Sequence, residues 1–382
     1  MLRMHTVQAH EGDCLLLEHE HNQKKRFVLI DGGPRKTYDP YLKWALKKKV
    51  AKNGAELDLV VLSHVDGDHV TGLLDLFVEL RSAKAENVAP LVKVKSLWHN
   101  TFGLLSDGTD IESRYASLMN VAMVMAQAGT AGLAATHRTN LSLAQMGLAS
   151  IKEGERIGRE ARLLKIKTNG QFEGKPLVAT GKAEDDTCTV AGLKIRVVGP
   201  TQDNLDDLKK KWKKWLKDQE AKLRSEEPNL KAMLDESVPN LSSIQMLVQS
   251  GKKRLLLTGD GRGDHLLDAL KAGKLLDQSG GIDVDVLKVP HHGSNRNVDQ
   301  SFFEAVRAKT YVISANGKHD NPDYDTLTWI VDAAKAQGRR ITLALTNETK
   351  AVKDLVKYRR PEDYRYKLRL RRNGWSWLSV TV

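Results

Sequence analysis

Leu57-Asp58-Leu59-Val60-Val61-Leu62 runs directly into Ser63-His64-Val65-Asp66-Gly67-Asp68-His69-Val70-Thr71-Gly72. The first six residues read as a buried strand, and a helix is predicted from about Thr71 to Arg81. Between them, His64, Asp66, Asp68 and His69 place four potential metal ligands within six positions. Imidazole nitrogen and hard carboxylate oxygen together suit zinc, manganese or iron. In an extended loop, alternate residues point the same way, so 64, 66 and 68 share a side. A carboxylate opening the helix is also favoured by the helix dipole. The plainer alternative, a polar loop with an Asp cap, does not explain four ligand types so tightly packed. The stretch predicts a metal site where a strand stops and a helix starts.

The surroundings read as α/β. Cys14–Glu18 and Arg26–Ile30 form a hairpin pattern closed by Asp31-Gly32-Gly33-Pro34. Tyr41–Val50 is predicted helical and Val92–Trp98 a strand. From Thr101 to about Asp185, Ala, Met, Leu, Lys and Glu dominate, which predicts inserted helices. Leu193–Val198 returns to strand, and Leu205 to about Glu227 reads as one lysine-rich helix stopped by Pro228. Strands follow at Ile244–Gln249, Arg254–Thr258, Val284–Val289, Thr310–Ser314 and Arg340–Leu345, with helices at Gly263–Ala272, Gln300–Val306 and Tyr324–Gln337. The alternating C-terminus carries Asn373-Gly374, a hairpin signal. Expected organisation is a first strand-rich half (1–100), a helical insertion (101–185), and a second half (186–382) with the charged helix 205–227 and a C-terminal hairpin. Two strand-rich halves flanked by helices predict sheet packed on sheet with helices outside.

Composition bounds the function. Of 382 residues, 41% are hydrophobic, enough for a sizeable core, which excludes wholesale disorder. Two cysteines exclude a disulfide scaffold and a Cys-rich zinc module. The N-terminus, MLRMHTVQAHEGD, has no apolar signal core, and no apolar run is long enough to span a bilayer. The expectation is a cytoplasmic protein with no membrane association. With 60 basic and 48 acidic residues the net charge is +12, a balance that attracts polyanions such as nucleic acid, anionic membrane or phosphorylated substrates. A lysine-rich solvated surface accounts for the same charge.

Taken in order, the motifs resemble those of the metallo-β-lactamase fold superfamily, whose signature is His-x-His-x-Asp-His at a strand end. This chain reads His64-x-Asp66-x-Asp68-His69, a variant similar to the hydrolase domain of ComEC-type DNA-uptake proteins. Asp31-Gly32-Gly33 resembles the first family motif, Leu256–Asp260 the segment of the bridging Asp, Lys288–Ser294 (KVPHHGS) the His-His-Gly-Ser segment, and Val312–Pro322 the segment of the last ligand. The likeness covers about 1–100 and 190–340. It implies an α/β, αββα metallo-β-lactamase sandwich with a helical insertion. It implies two divalent ions, manganese or zinc, held by His64, Asp66 and Asp260 on one side and by Asp68, His69 and Asp260 on the other, with His319 added. Asp31 would orient a ligand imidazole. Asp68, His291 and His292 would be catalytic, one of the two histidines donating a proton or hydrogen bond, with metal binding by one of them as the alternative. The stretch Val238–Ser243 holds no third ligand His; Asn240 or Ser243 stands there, which moves the expected metal towards manganese. Asn321 precedes Pro322 where the relatives have His, so His319 is the nearest candidate.

The remaining residues read more plainly. Lys288, Arg262 and Lys318 are read as surface charges, and His99 as a loop residue near the cleft. Trp212 and Trp215 among the lysines of 205–227 suit a single-stranded nucleic acid groove, but an amphipathic helix with inward tryptophans is the preferred reading. The Ala/Met-rich stretch 117–150 is read as buried helical packing. The expected activity is cleavage of phosphodiester bonds, with nucleic acid (DNA favoured) as partner and a protein regulator as a further one. A small phosphodiester substrate, as in phosphorylcholine esterase-like relatives, and a non-catalytic metal-stabilised module are the competing readings.

Overall fold

The computed structural model describes residues 1–105, 153–224 and 241–382. Its strands are β1 (Arg3–Val7), β2 (Leu15–His21), β3 (Lys24–Ile30), β4 (Glu56–Leu57), β5 (Leu59–Val61), β6 (Lys93–Val94), β7 (Ser96–Trp98), β8 (Lys167–Thr168), β9 (Thr187–Val190), β10 (Leu193–Gly199), β11 (Gln245–Ser250), β12 (Lys253–Leu257), β13 (Ile282–Lys288), β14 (Val306–Ile313), β15 (Ile341–Leu345), β16 (Tyr366–Leu370) and β17 (Trp377–Thr381). One sheet runs β17-β1-β2-β3-β5-β7-β8 and the other β16-β15-β14-β13-β12-β11-β10-β9. Both are mixed: β3, β5, β7 and β8 run parallel in the first, β12 to β16 in the second.

The apolar runs are continuous because each sheet is buried on both faces. On β12, Leu255 and Leu257 enter the core between the sheets, while Leu256 joins the core under the outer helices. On β2, Leu15 and Leu17 face inward and Leu16 faces the helices of the first sheet. This is the metallo-β-lactamase fold, two mixed sheets face to face with helices on the outer sides. The parallel strands of both sheets end on one edge, and the loops that follow β3, β5, β12, β13 and β14 meet there.

Two expectations need correction. Leu57–Leu62 is not one strand. Asp58 interrupts it, its carboxylate accepting from Phe27 N at 3.3 Å and Lys95 Nζ at 3.0 Å, and β4 pairs with β6 instead. The C-terminal hairpin does not form. β16 extends the second sheet beside β15, whereas β17 pairs antiparallel with β1 of the first. Residues 371–376 therefore cross between the sheets. Arg371 braces that crossing, donating to the carbonyls of Thr346, Arg372 and Trp375. β1 itself had no strong sequence signal; it is held between β2 and β17.

Within 101–185, residues 106–152, including the Ala/Met-rich stretch, lie outside the described residues. The helix over 153–164 packs Ile157 and Ala161 into the core of the first sheet, and Arg81 Nε donates to Glu160 at 2.7 Å. The lysine-rich helix spans Gln202–Arg224, with Leu205 and Leu208 buried. The side chains of Trp212 and Trp215, and residues 225–240, lie outside the described residues. No helix among the described residues is long and apolar enough to cross a membrane.

Candidate metal centre

The loop after β5 is locked to the loop after β3. Asp31, at a left-handed φ of 57°, accepts from Ser63 N and Ser63 Oγ, both at 2.7 Å, and from His69 Nδ1 at 2.9 Å. The helix Gly67–Ala85 starts at Asp66, whose carboxylate makes no cap bond and lies 3.6 Å from His64 Nε2 instead. Gly32 N donates to His69 O at 2.8 Å and Gly72 N to Gly33 O at 3.0 Å. A Cβ on Gly72 would sit 2.0 Å from Gly32 O, so this approach of loop to helix requires glycine.

From the other sheet come Asp260, after β12, and His291 and His292, after β13. Both histidines are left-handed, with φ of 44° and 55°. Non-glycine residues there cost on the order of 1–3 kcal/mol each, so the backbone has to be held. His291 N donates to Gly259 O at 3.1 Å, and Ser294 N donates to His291 O at 2.9 Å.

Four imidazoles are arranged alike. His69 Nδ1 bonds Asp31, His292 Nδ1 bonds Ser314 O at 3.0 Å, and His291 Nδ1 bonds Asn297 Oδ1 at 2.5 Å. Ser63 Oγ donates to Asp31, so its lone pair accepts from His64 Nδ1 at 3.0 Å. Each Nδ1–H is thus satisfied, and each Nε2 faces Asp260. His69 Nε2 is 3.3 Å from Asp260 Oδ1; His292, His291 and His64 Nε2 are 3.3, 3.6 and 3.9 Å from Oδ2. Asp68 Oδ2 lies 3.4 Å from His292 Nε2 and 3.9 Å from His69 Nε2. Ligand atoms of Asp68, His69, Asp260 and His292 all fall within 4.8 Å of one another. Anchoring one ring nitrogen so that the other points at a common centre is how proteins hold ligand histidines.

Electrostatics point the same way. Burial opposes a charged His69 or His292, yet Asp260 with Asp68 and Asp31, or Asp260 with Asp13, raises each imidazole well above its ordinary pKa. Burial likewise pushes Asp260 up, but His292, His69 and His291 hold it well below the usual carboxylate range. The group stabilises positive charge at its centre. His64 Nε2 and Asp260 Oδ1 are buried with no hydrogen-bond partner. Two bare, buried donors beside further imidazoles and carboxylates fit divalent cations.

Of the residues expected from the sequence, His64, Asp66, Asp68, His69 and Asp260 come together, and Asp31 holds His69. His292 joins the group as a potential ligand, the second of the two roles the sequence left open for the His291-His292 pair. His319 does not join. It is exposed on the turn Lys318–Asp320, at a φ of 56°. Ser243 Oγ accepts from Asp260 N at 3.3 Å and so supports the backbone beside the group; Asn240 lies outside the described residues. Lys288 is no surface charge. It is fully buried, with Nζ 2.6 Å from Asp13 Oδ2, and Asp13 Oδ1 lies 3.5 Å from His292 Nδ1. Arg262 bonds Asp264 and Lys318 bonds Glu11. His99 is buried at the end of β7, beside β5, and accepts from Thr101 N at 3.3 Å. Sequence reading missed Asp13; its signal was the Gly12-Asp13 pair closing the loop after β1. A Cβ on Gly12 would sit 1.8 Å from Asp68 O.

A metal-dependent hydrolase with the metallo-β-lactamase fold is the class that this architecture and this His/Asp group fit. Residues 8–102 match the family model described as "Metallo-beta-lactamase superfamily", and the two-sheet architecture is that fold. Among matching solved structures is the crystal structure of a new diphosphatase from the PhnP family, 12% identical, with a TM-score of 0.37 over 100% of this chain and 98% of that one. Comparison with curated proteins gives no match.

Proposed function

We propose that the chain hydrolyses phosphodiester bonds in nucleic acid, DNA first, using two divalent ions, manganese or zinc. The observation that carries the hydrolase reading is the convergence of four anchored imidazoles on Asp260. His64, Asp66 and Asp260 would hold one ion and Asp68, His69, His292 and Asp260 the other. When bound, the ions supply Lewis acidity, lowering the pKa of a water and neutralising the phosphoryl oxygens.

The protein's own groups do the rest. Asp31 fixes the tautomer of His69, and Ser63 that of His64. Asp68, whose side chain is 31% exposed, offers an acceptor for a hydrogen of the attacking water. His291 is 25% exposed where His292 is 3%, so His291 is the group able to carry a proton to the leaving oxygen. The net charge of +12 and the ComEC-like motif variant support a polymeric polyanion.

The test is incubation with plasmid and single-stranded DNA, with and without manganese. Metal-dependent cleavage that Asp68→Ala reduces about 100-fold or more is expected. Absent cleavage, or cleavage unchanged in that variant, contradicts the proposal. A small chromogenic phosphodiester turned over far faster than DNA would move the substrate to small molecules.

A further inference from the structure

The crossing between the sheets, residues 371–376, lies at the same edge as the metal group. β16 runs parallel to β13 and β14, whose following loops carry His291, His292 and Ser314. The two places are joined by short bonds. His292 Nδ1 donates to Ser314 O, Asn347 Nδ2 donates to Ala315 O at 2.7 Å, and Arg371 Nη2 donates to Asn347 Oδ1 at 3.2 Å. Gln8, on the loop that leads to Asp13, pairs with Asn347, and its N donates to Ser376 O at 2.8 Å. The crossing is therefore a fixed part of the site's rim.

Its outward side chains have a distinct chemistry. Trp375 is 53% exposed, and the Arg372 guanidinium lies 5.2 Å from its ring centroid. Arg371 spends its donors on carbonyls and on Asn347, so among the described residues no carboxylate neutralises it or Arg372. On the adjoining loops, Glu11 is already bonded to Lys318 and Glu348 lies 3.6 Å from Lys353. The result is an exposed indole beside the exposed guanidinium of Arg372, on a loop that Arg371 braces and that short bonds link to His292. An indole offers a stacking face to any base, and guanidinium groups match phosphate.

Resting on the nucleic-acid reading above, we infer that Trp375 and Arg372, braced by Arg371, form a platform that binds single-stranded nucleic acid leading into the metal site. A strand suits it better than a duplex, because stacking needs an unpaired base. Trp375 and Arg372 are binding residues in this account; Arg371 is a positioning residue.

The experiment is fluorescence anisotropy of a short labelled oligothymidylate, titrated with the full chain in excess EDTA so that no cleavage occurs. Trp375→Ala is expected to weaken binding about tenfold or more. Arg372→Ala is expected to weaken it and to lower the slope of log affinity against log salt by about 0.7. Tyr358→Ala is the matched control. Tyr358 is also exposed, at 61%, with Lys357 over its ring at 4.8 Å, but it closes the helix Lys350–Tyr358 that leads away from this edge. It is expected to bind as the unaltered chain does. Trp375→Ala and Arg372→Ala both binding unchanged, with melting temperatures preserved, would overturn the platform alone. If the unaltered chain itself showed no salt-dependent binding, the nucleic-acid reading would fail and the platform with it. Variants that melt early would be replaced by Trp375→Phe, for which an intermediate loss of affinity is expected and an unchanged affinity counts against the platform.

Discussion

Asp13 Oδ2 and Lys288 Nζ lie 2.6 Å apart, and both side chains are closed to solvent. Removing one partner strands the other as a buried charge, so Lys288→Met should cost about 3–5 kcal/mol in denaturant unfolding, and adding Asp13→Asn should recover part of it. Burial pushes Asp13 up, but Lys288, His292 and His69 hold it below the ordinary carboxylate pKa. Its stabilisation is therefore present above the unfolded value of about 3.9 and lost as pH falls through the folded one. Asp13→Asn should flatten the acid limb of the stability curve. An unaltered acid limb would deny the pair its structural role.

Asp31→Asn tests the support beneath the ligands. The amide keeps an oxygen for Ser63 N but turns an NH2 towards His69 or Ser63. Metal affinity, measured by competition with a chelator, should fall about 10–100-fold with the fold retained. Equal affinity would mean that Asp31 does not set the His69 tautomer.

Gly72→Ala tests the contact between loop and helix. With Gly32 O only 2.0 Å from the new Cβ, backbone must shift. A loss of about 2–4 kcal/mol and weaker metal binding are expected together. Full stability would show that the two segments are not locked.

His99 gives a pH signature independent of the metal. Burial, then Arg162, lowers its pKa to about 4. The unfolded state binds more protons between pH 6.5 and 4, so stability is full above 6.5 and falls as pH drops through that window, by up to about 3 kcal/mol. His99→Gln should flatten this part of the profile. A slope as steep as in the unaltered chain would assign it to other groups.

The strand-loop-helix stretch around His64–His69 was legible because ligand types, an apolar run and a helix start coincide within a few residues. Asp260 was legible from its place after Leu255–Leu257. The pair His291-His292 was seen, but one dimension cannot tell which of the two faces the ligands: His291 is 25% exposed while its neighbour points inward. His319 was chosen by proximity to Pro322, and the turn at 318–320 holds it in solvent. Asp13 and Lys288 stayed hidden because a buried ion pair between loops of two sheets leaves no local pattern. Asn373-Gly374 signalled a turn correctly, but whether flanking strands pair with each other or with two separate sheets depends on edges far away in sequence.

Crystals soaked in manganese and read by anomalous scattering test the central claim most directly. The account predicts two peaks flanking the Asp260 carboxylate, one beside His64 and one beside His69 and His292. Density free of any peak there, with the imidazoles still facing Asp260, would contradict it.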